Sequence, residues 1–208
     1  MKRLNSVKII LIMIAALYSG NNAYADTEVV QALRSLVQPT VTISKSALCV
    51  EAASANPQTG ALSNTLRSVF TLQTNGTDDD YDFIMTSSLI GDGGEPVSAY
   101  SNSGNILFGH TTNPPTSTAI SNAKSGGTNN KNVIVYPVTA TVKSPMTIEY
   151  RTNYSTYGDC YVVKVNGSTD STNISHSLST LPVSGSYNIG QDESGSYQAT
   201  VTFTAISK

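Results

Sequence analysis

The stretch Gly195-Ser-Tyr-Gln-Ala-Thr-Val-Thr-Phe-Thr-Ala-Ile-Ser-Lys208 decides how this chain is read. From Tyr197 to Ala205 apolar and polar residues alternate without a break. A strand points successive side chains to opposite faces, so Tyr197, Ala199, Val201, Phe203 and Ala205 share one face and Gln198, Thr200, Thr202 and Thr204 the other. A strand so divided must bury its apolar side against something, and what covers that side bears directly on function.

Working outward, the same punctuation recurs. Short strand candidates run over Val41–Val50, Leu62–Gln73, Tyr81–Ile90, Ile106–Phe108, Val133–Val142, Met146–Arg151 and Cys160–Val165, separated by Gly, Asn, Asp and Pro clusters. Pro137 interrupts the Val133–Val142 run and marks an edge or a bulge there. Eleven tyrosines, no tryptophan and only 12% charged residues fit the composition of β structure. The spacing predicts an all-β antiparallel sandwich, with no repeat of fixed period. Thr111–Asn132 holds Asn113-Pro-Pro115, Gly126-Gly127 and a single large aliphatic residue, Ile120, and reads as a long loop.

The opposite end carries an export pattern. Lys2, Arg3 and Lys8 precede an apolar run from Ile9 to Leu17, and Ala23-Tyr-Ala25 supplies a small-x-small cleavage site. A run this short is a secretory signal rather than a membrane span. Three parts are therefore expected: 1–25 a cleaved signal, 26–38 an N-terminal extension, and 39–208 the sandwich. All fourteen acidic residues but only nine of the twelve basic ones lie beyond position 25, leaving a net charge of −5. That sign argues against nucleic acid or an anionic membrane surface as partner.

Cys49 and Cys160 are the only cysteines, and in an exported chain two cysteines are expected to pair. A bridge closing about a hundred residues would stabilise by roughly 4 to 5 kcal/mol in the chain-entropy picture. The alternative is two buried free thiols. Neither cysteine has a partner at metal-ligand spacing.

Catalytic patterns are missing. His110 and His176 sit among Gly, Asn and Ser, and no Gly-x-Ser-x-Gly elbow occurs. Asp78-Asp-Asp-Tyr-Asp82 and Asp92-Gly-Gly-Glu95 lack the calcium-loop spacing and read as solvated acidic turns. The Asn-x-Ser/Thr matches, such as Asn75-Gly-Thr77, are expected by chance in so Asn- and Thr-rich a chain. No catalytic residue, metal or cofactor is expected. Tyr150, Tyr154, Tyr157 and Tyr161 would offer apolar ring faces to a sugar, although tyrosine is also an ordinary strand residue with one wet face.

Taken together, the two ends resemble the fimbrial (pilus) subunits of the bacterial chaperone–usher pathway. The resemblance rests on the glycine at Gly195, the Tyr197-x-Ala199 strand that follows it, the signal, and an alternating extension with Val29, Gln31, Leu33, Ser35 and Val37 on one side. (Val29, Val30, Leu33, Leu36 and Val37 also fit a helical stripe.) The resemblance implies an incomplete immunoglobulin-like antiparallel β-sandwich whose missing strand is donated by another subunit. It implies Val29, Gln31, Leu33, Ser35 and Val37 as the donor strand. Gly195, Tyr197, Ala199, Val201, Phe203 and Ala205 would then form the strand bordering the groove and touching the chaperone. Implied partners are a periplasmic fimbrial chaperone, an outer-membrane usher and other copies or sister subunits, with a host glycan or protein receptor on exposed loops. The expected function is a structural subunit of a surface fimbrium, exported through the periplasm. The alternatives are a self-complete secreted carbohydrate-binding sandwich and a single-domain tip adhesin or invasin.

Overall fold

The computed structural model describes residues 37–45, 66–178 and 192–208. The chain divides into two units, Met1–Val37 and Gln38–Lys208. Of the first unit only Val37 is described, and it is 73% exposed. The signal-like segment, extension positions Val29, Gln31, Leu33 and Ser35, and Cys49 fall outside the described residues.

The described part of the second unit is all-β apart from a short 3₁₀ turn at Asp92–Gly94 and one α-helix. Its strands are β1 (Val41–Lys45), β2 (Leu66–Thr74), β3 (Tyr81–Ile90), β4 (Pro96–Ser98), β5 (Ile106–His110), β6 (Val133–Tyr136) and β7 (Val138–Thr141). They continue as β8 (Thr147–Tyr154), β9 (Gly158–Lys164), β10 (Thr169–Leu178), β11 (Tyr197–Gln198) and β12 (Thr200–Ser207); helix α1 (Ser117–Lys124) precedes β6. One sheet runs β1-β2-β10-β7 and a second runs β12-β3-β9-β8, with β4 also on β3. A small third sheet has the order β11-β5-β6. All pairings are antiparallel.

Two chain segments pass from the small sheet into the larger ones. Pro137 has no N–H to give to a ladder, and at that residue β6, paired with β5, ends and β7, paired with β10, begins. Ala199 marks the same change between β11, on β5, and β12, on β3.

The core follows the period-2 pattern. Phe83, Met85 and Leu89 of β3 point inward, as do Tyr161 and Val163 of β9. They meet Leu66, Leu72, Ile174 and Leu178 from β2 and β10. On β12, Phe203 is buried and Val201 and Ala205 half-buried, whereas Thr200, Thr202 and Thr204 are exposed. Phe203 and Phe70 approach to 5.8 Å between ring centroids and tie β12 to β2 across the sandwich.

Two expectations are corrected here. The Thr111–Asn132 segment is not all loop, because α1 occupies Ser117–Lys124. Thr116 caps it, its hydroxyl accepting from the Ala119 N–H at 3.2 Å, and Ala119, Ile120 and Ala123 pack into the core. Nor do the cysteines pair: Cys160 is a free, fully buried thiol. It sits on the outer face of β9 with Ile84 and Val162, under Tyr154 and Tyr157. Burial pushes it up to about 11, so it stays a protonated, inert thiol. A reductant is therefore expected to leave the midpoint of thermal unfolding unchanged, whereas a bridged chain would lose stability in the same measurement.

One polar group is buried at a cost. His176 on β10 is completely inaccessible, and neither ring nitrogen has a hydrogen-bond partner among the described residues. Its ring meets Tyr100 and Tyr161 edge-to-face, at centroid distances of 5.6 and 5.4 Å. Loss of solvent lowers its pKa from 6.5 to about 4. The folded value lies below the unfolded one. Its contribution to stability is therefore complete above about pH 6.5 and drains away as pH falls toward about 4, by on the order of 3 kcal/mol. Denaturant melts of His176→Leu should show a visibly flatter decline between those pH values than the parent protein.

Candidate functional site

The terminal strand borders an open cleft of about 400 Å³. Its walls come from chain segments that meet only in the folded state. Leu66 and Phe70 on β2 and Leu178 at the end of β10 form one side, Ile106 and Phe108 on β5 the back, and Ala199 and Val201 the other side. Lys45 and Arg67 stand at its rim. The lining is mainly apolar because the inward phases of β2, β5 and β12 converge there.

The backbone around this cleft is as informative as its side chains. Among the described residues β12 pairs with β3 alone, from Thr200 opposite Ser88 to Ser207 opposite Tyr81. Every second N–H and C=O along the other edge therefore faces away from β3, and at the start of the strand, where Thr200 and Val201 line the cleft, that edge lies beside an apolar trough. Such an edge is a template for an added strand. The structure brings Ala199 and Val201 to the cleft wall and Phe203 to the core beneath, while Ala205 packs farther along the same face. Tyr197 and Gly195 serve another contact.

That contact centres on His110, the last residue of β5 and 3% exposed. Its Nδ1 accepts the Thr112 N–H at 3.2 Å and the Asn113 N–H at 3.0 Å. A nitrogen that accepts two donors carries no proton, so Nε2 carries it and donates to the Ser194 carbonyl at 3.2 Å. Tyr197 closes on the imidazole edge-to-face at 5.0 Å and donates its hydroxyl to the Glu193 carbonyl at 2.8 Å. Lys131 pairs with Glu193 at 3.0 Å, and Asn113 donates its side-chain amide to the same carboxylate. These two contacts, Lys131 first, hold Glu193 below the usual carboxylate range.

Gly195 now has a physical reason. A Cβ there would lie 2.3 Å from His110 Nε2, inside any contact distance. Sequence reasoning picked out Gly195 and Tyr197 but missed His110, Asn113, Asn132 and Glu193. Each is an ordinary turn or strand-end residue until the fold brings together positions 60 to 84 apart in sequence.

The other candidate groups are used structurally. Tyr150 and Tyr161 donate their hydroxyls to the Ser101 and Gly104 carbonyls at 2.6 and 2.8 Å and pack with Tyr100. Tyr154 and Tyr157 instead stack on each other at the β8–β9 hairpin, so the four tyrosines form no common platform. Asp80 accepts the Thr77 N–H at 2.8 Å, and Asp78 and Asp82 lie near Lys164 and Lys208. No cluster of three metal-ligating side chains occurs among the described residues.

Comparison with known family profiles, curated proteins and solved structures gives no match to this chain. Gly195→Ala should force the His110 ring from its seat and lower unfolding free energy by about 1 to 3 kcal/mol, as overpacking does elsewhere. Equilibrium denaturation measures this, and an unchanged midpoint would contradict the contact.

Proposed function

We propose that this chain is a structural subunit of a chaperone–usher fimbrium, an incomplete immunoglobulin-like sandwich that polymerises by donor-strand exchange. The observation that carries the proposal is the edge of β12 that pairs with no other strand among the described residues, its first residues lying beside the apolar cleft. An extended segment laid there gains backbone hydrogen bonds along its whole length, and alternate side chains fix its register. At about 3.3 Å per residue, the nine positions from Val29 to Val37 span about 30 Å, comparable with the eight residues of β12. Val29, Leu33 and Val37 of one copy would enter the cleft of the next, with Gln31 and Ser35 between them in the same phase. The exposure of Val37 suits a segment destined for another molecule.

The mechanism follows from what an unfilled cleft does in water. Apolar walls and an unpaired edge favour aggregation until a strand covers them. A periplasmic chaperone would supply that strand first, and the extension of the next subunit would replace it at an outer-membrane usher. Because donor and acceptor surfaces differ, the contact is head-to-tail and does not close, so a fibre grows at the cell surface. Exposed loops would carry any receptor contact.

Leu33→Asp should abolish polymers while leaving chaperone capture intact, since it places a charge at the centre of the donor but leaves the acceptor untouched. Heat-labile ladders on gels would vanish, and the chaperone complex would persist on co-purification. Accumulation of the parent protein as a soluble monomer without chaperone would instead favour a self-complete secreted sandwich.

A further inference from the structure

The hydrogen bonds around His110 have a second property: they tolerate only one protonation state. Nδ1 faces two backbone donors, the Thr112 and Asn113 N–H groups. A proton added to Nδ1 would point at both of them, leaving three donors facing one another with no acceptor. The imidazole has no alternative acceptor on that side among its contacts, and at 3% exposure it has little water to turn to. Turning the ring over would set a protonated Nδ1 toward Ser194 but leave a protonated Nε2 where the two N–H groups converge. No orientation of the charged ring restores the set.

What the neutral ring secures is a strap. Residues 192–196 lie across the end of β5, held by the Ser194 carbonyl on Nε2, by the Thr111 N–H donating to the Ser196 carbonyl at 2.9 Å, and by the Glu193 N–H donating to Asn132 Oδ1 at 3.0 Å. The strap leads directly into β11 and then β12. Charged and titratable groups facing it are Glu193 and Asp192 on the strap itself, Tyr197 at its end, and Lys131 from the turn before β6. Glu193 keeps its charge into mild acid because Lys131 and Asn113 hold it low.

We propose that His110 is a proton-operated latch: with Nδ1 bare it clamps the strap over β5, and protonation of Nδ1 releases residues 192–197 and with them the β11 pairing. The latch holds whatever fills the neighbouring cleft. Its release loosens the start of the terminal strand at Gln198 and Ala199, which line that cleft.

The test is an NMR titration of the purified protein from about pH 7.5 to about pH 5. Imidazole nitrogen shifts should assign the proton to Nε2 at the upper end. The Thr111 amide should exchange at least about tenfold faster once His110 titrates, while Leu107, bonded to the Ala99 carbonyl at 2.6 Å, stays protected. His110→Phe keeps an aromatic ring beside Tyr197 and should be open at every pH. Gly195→Ala should be open already at about pH 7.5. Three results would overturn the latch: a proton on Nδ1 at the upper pH, a Thr111 amide indifferent to His110 titration, or the same acid-induced opening in His110→Phe, which would assign the switch to Asp192 or Glu193. Should the variants fail to fold, the tautomer and the co-titration of Thr111 in the parent protein decide it alone.

Discussion

The register of β12 on β3 is the constraint from which the rest of the architecture follows. Eight successive pairs, Thr200 with Ser88 through Ser207 with Tyr81, set Phe203 inward against Phe70 and leave the threonines outward. A slip of one residue would turn Phe203 to solvent and three threonines into the core. Because this ladder is fixed, the opposite edge of β12 is fixed too, and with it the position of the cleft against β2 and β5. The site is a by-product of the register rather than a separately built pocket.

Much of this was legible in the chain. The alternation from Tyr197 to Ala205 carries its own face assignment, and Pro137 announced the break between β6 and β7. The inward phase of β2, Leu66, Phe70 and Leu72, was readable for the same reason. Helix α1 was harder. Its buried stripe is Ala119, Ile120 and Ala123, and two alanines give too little hydrophobic contrast to stand out among Ser and Asn, although Thr116 is a good N-cap. The cysteines misled because pairing depends on where the two thiols point. The outward phase that puts Cys160 beside Ile84 and Val162 also buries it. The His110 cluster was invisible for a different reason: its members are joined by tertiary contacts alone.

The core tolerates an unusual polar content. His176, Tyr100 and Ser68 all have buried polar atoms lacking a partner among the described residues, within the layer between the sheets. Burial raises Tyr100 well above its ordinary range and depresses His176, so both remain neutral, and their rings pack as aromatic surface. With no tryptophan available, tyrosine and histidine fill the centre of the sandwich, and the unmet hydrogen bonds are the cost. The two histidines are buried by opposite means: the nitrogens of His176 have no partner among the described residues, whereas both nitrogens of His110 are engaged.

The β3–β12 ladder joins residues such as Ser88 and Thr200, and a side-chain bond from the Ser87 hydroxyl to the Thr200 carbonyl spans 113 positions. Closing so long a loop delays the reward of each contact, and folds dominated by such pairings assemble slowly. During that interval Phe83 and Met85 lie uncovered on a strand with a vacant side. Apolar surface left open during so slow a pairing is available to other chains, so dilution or a folding helper should favour the native protein.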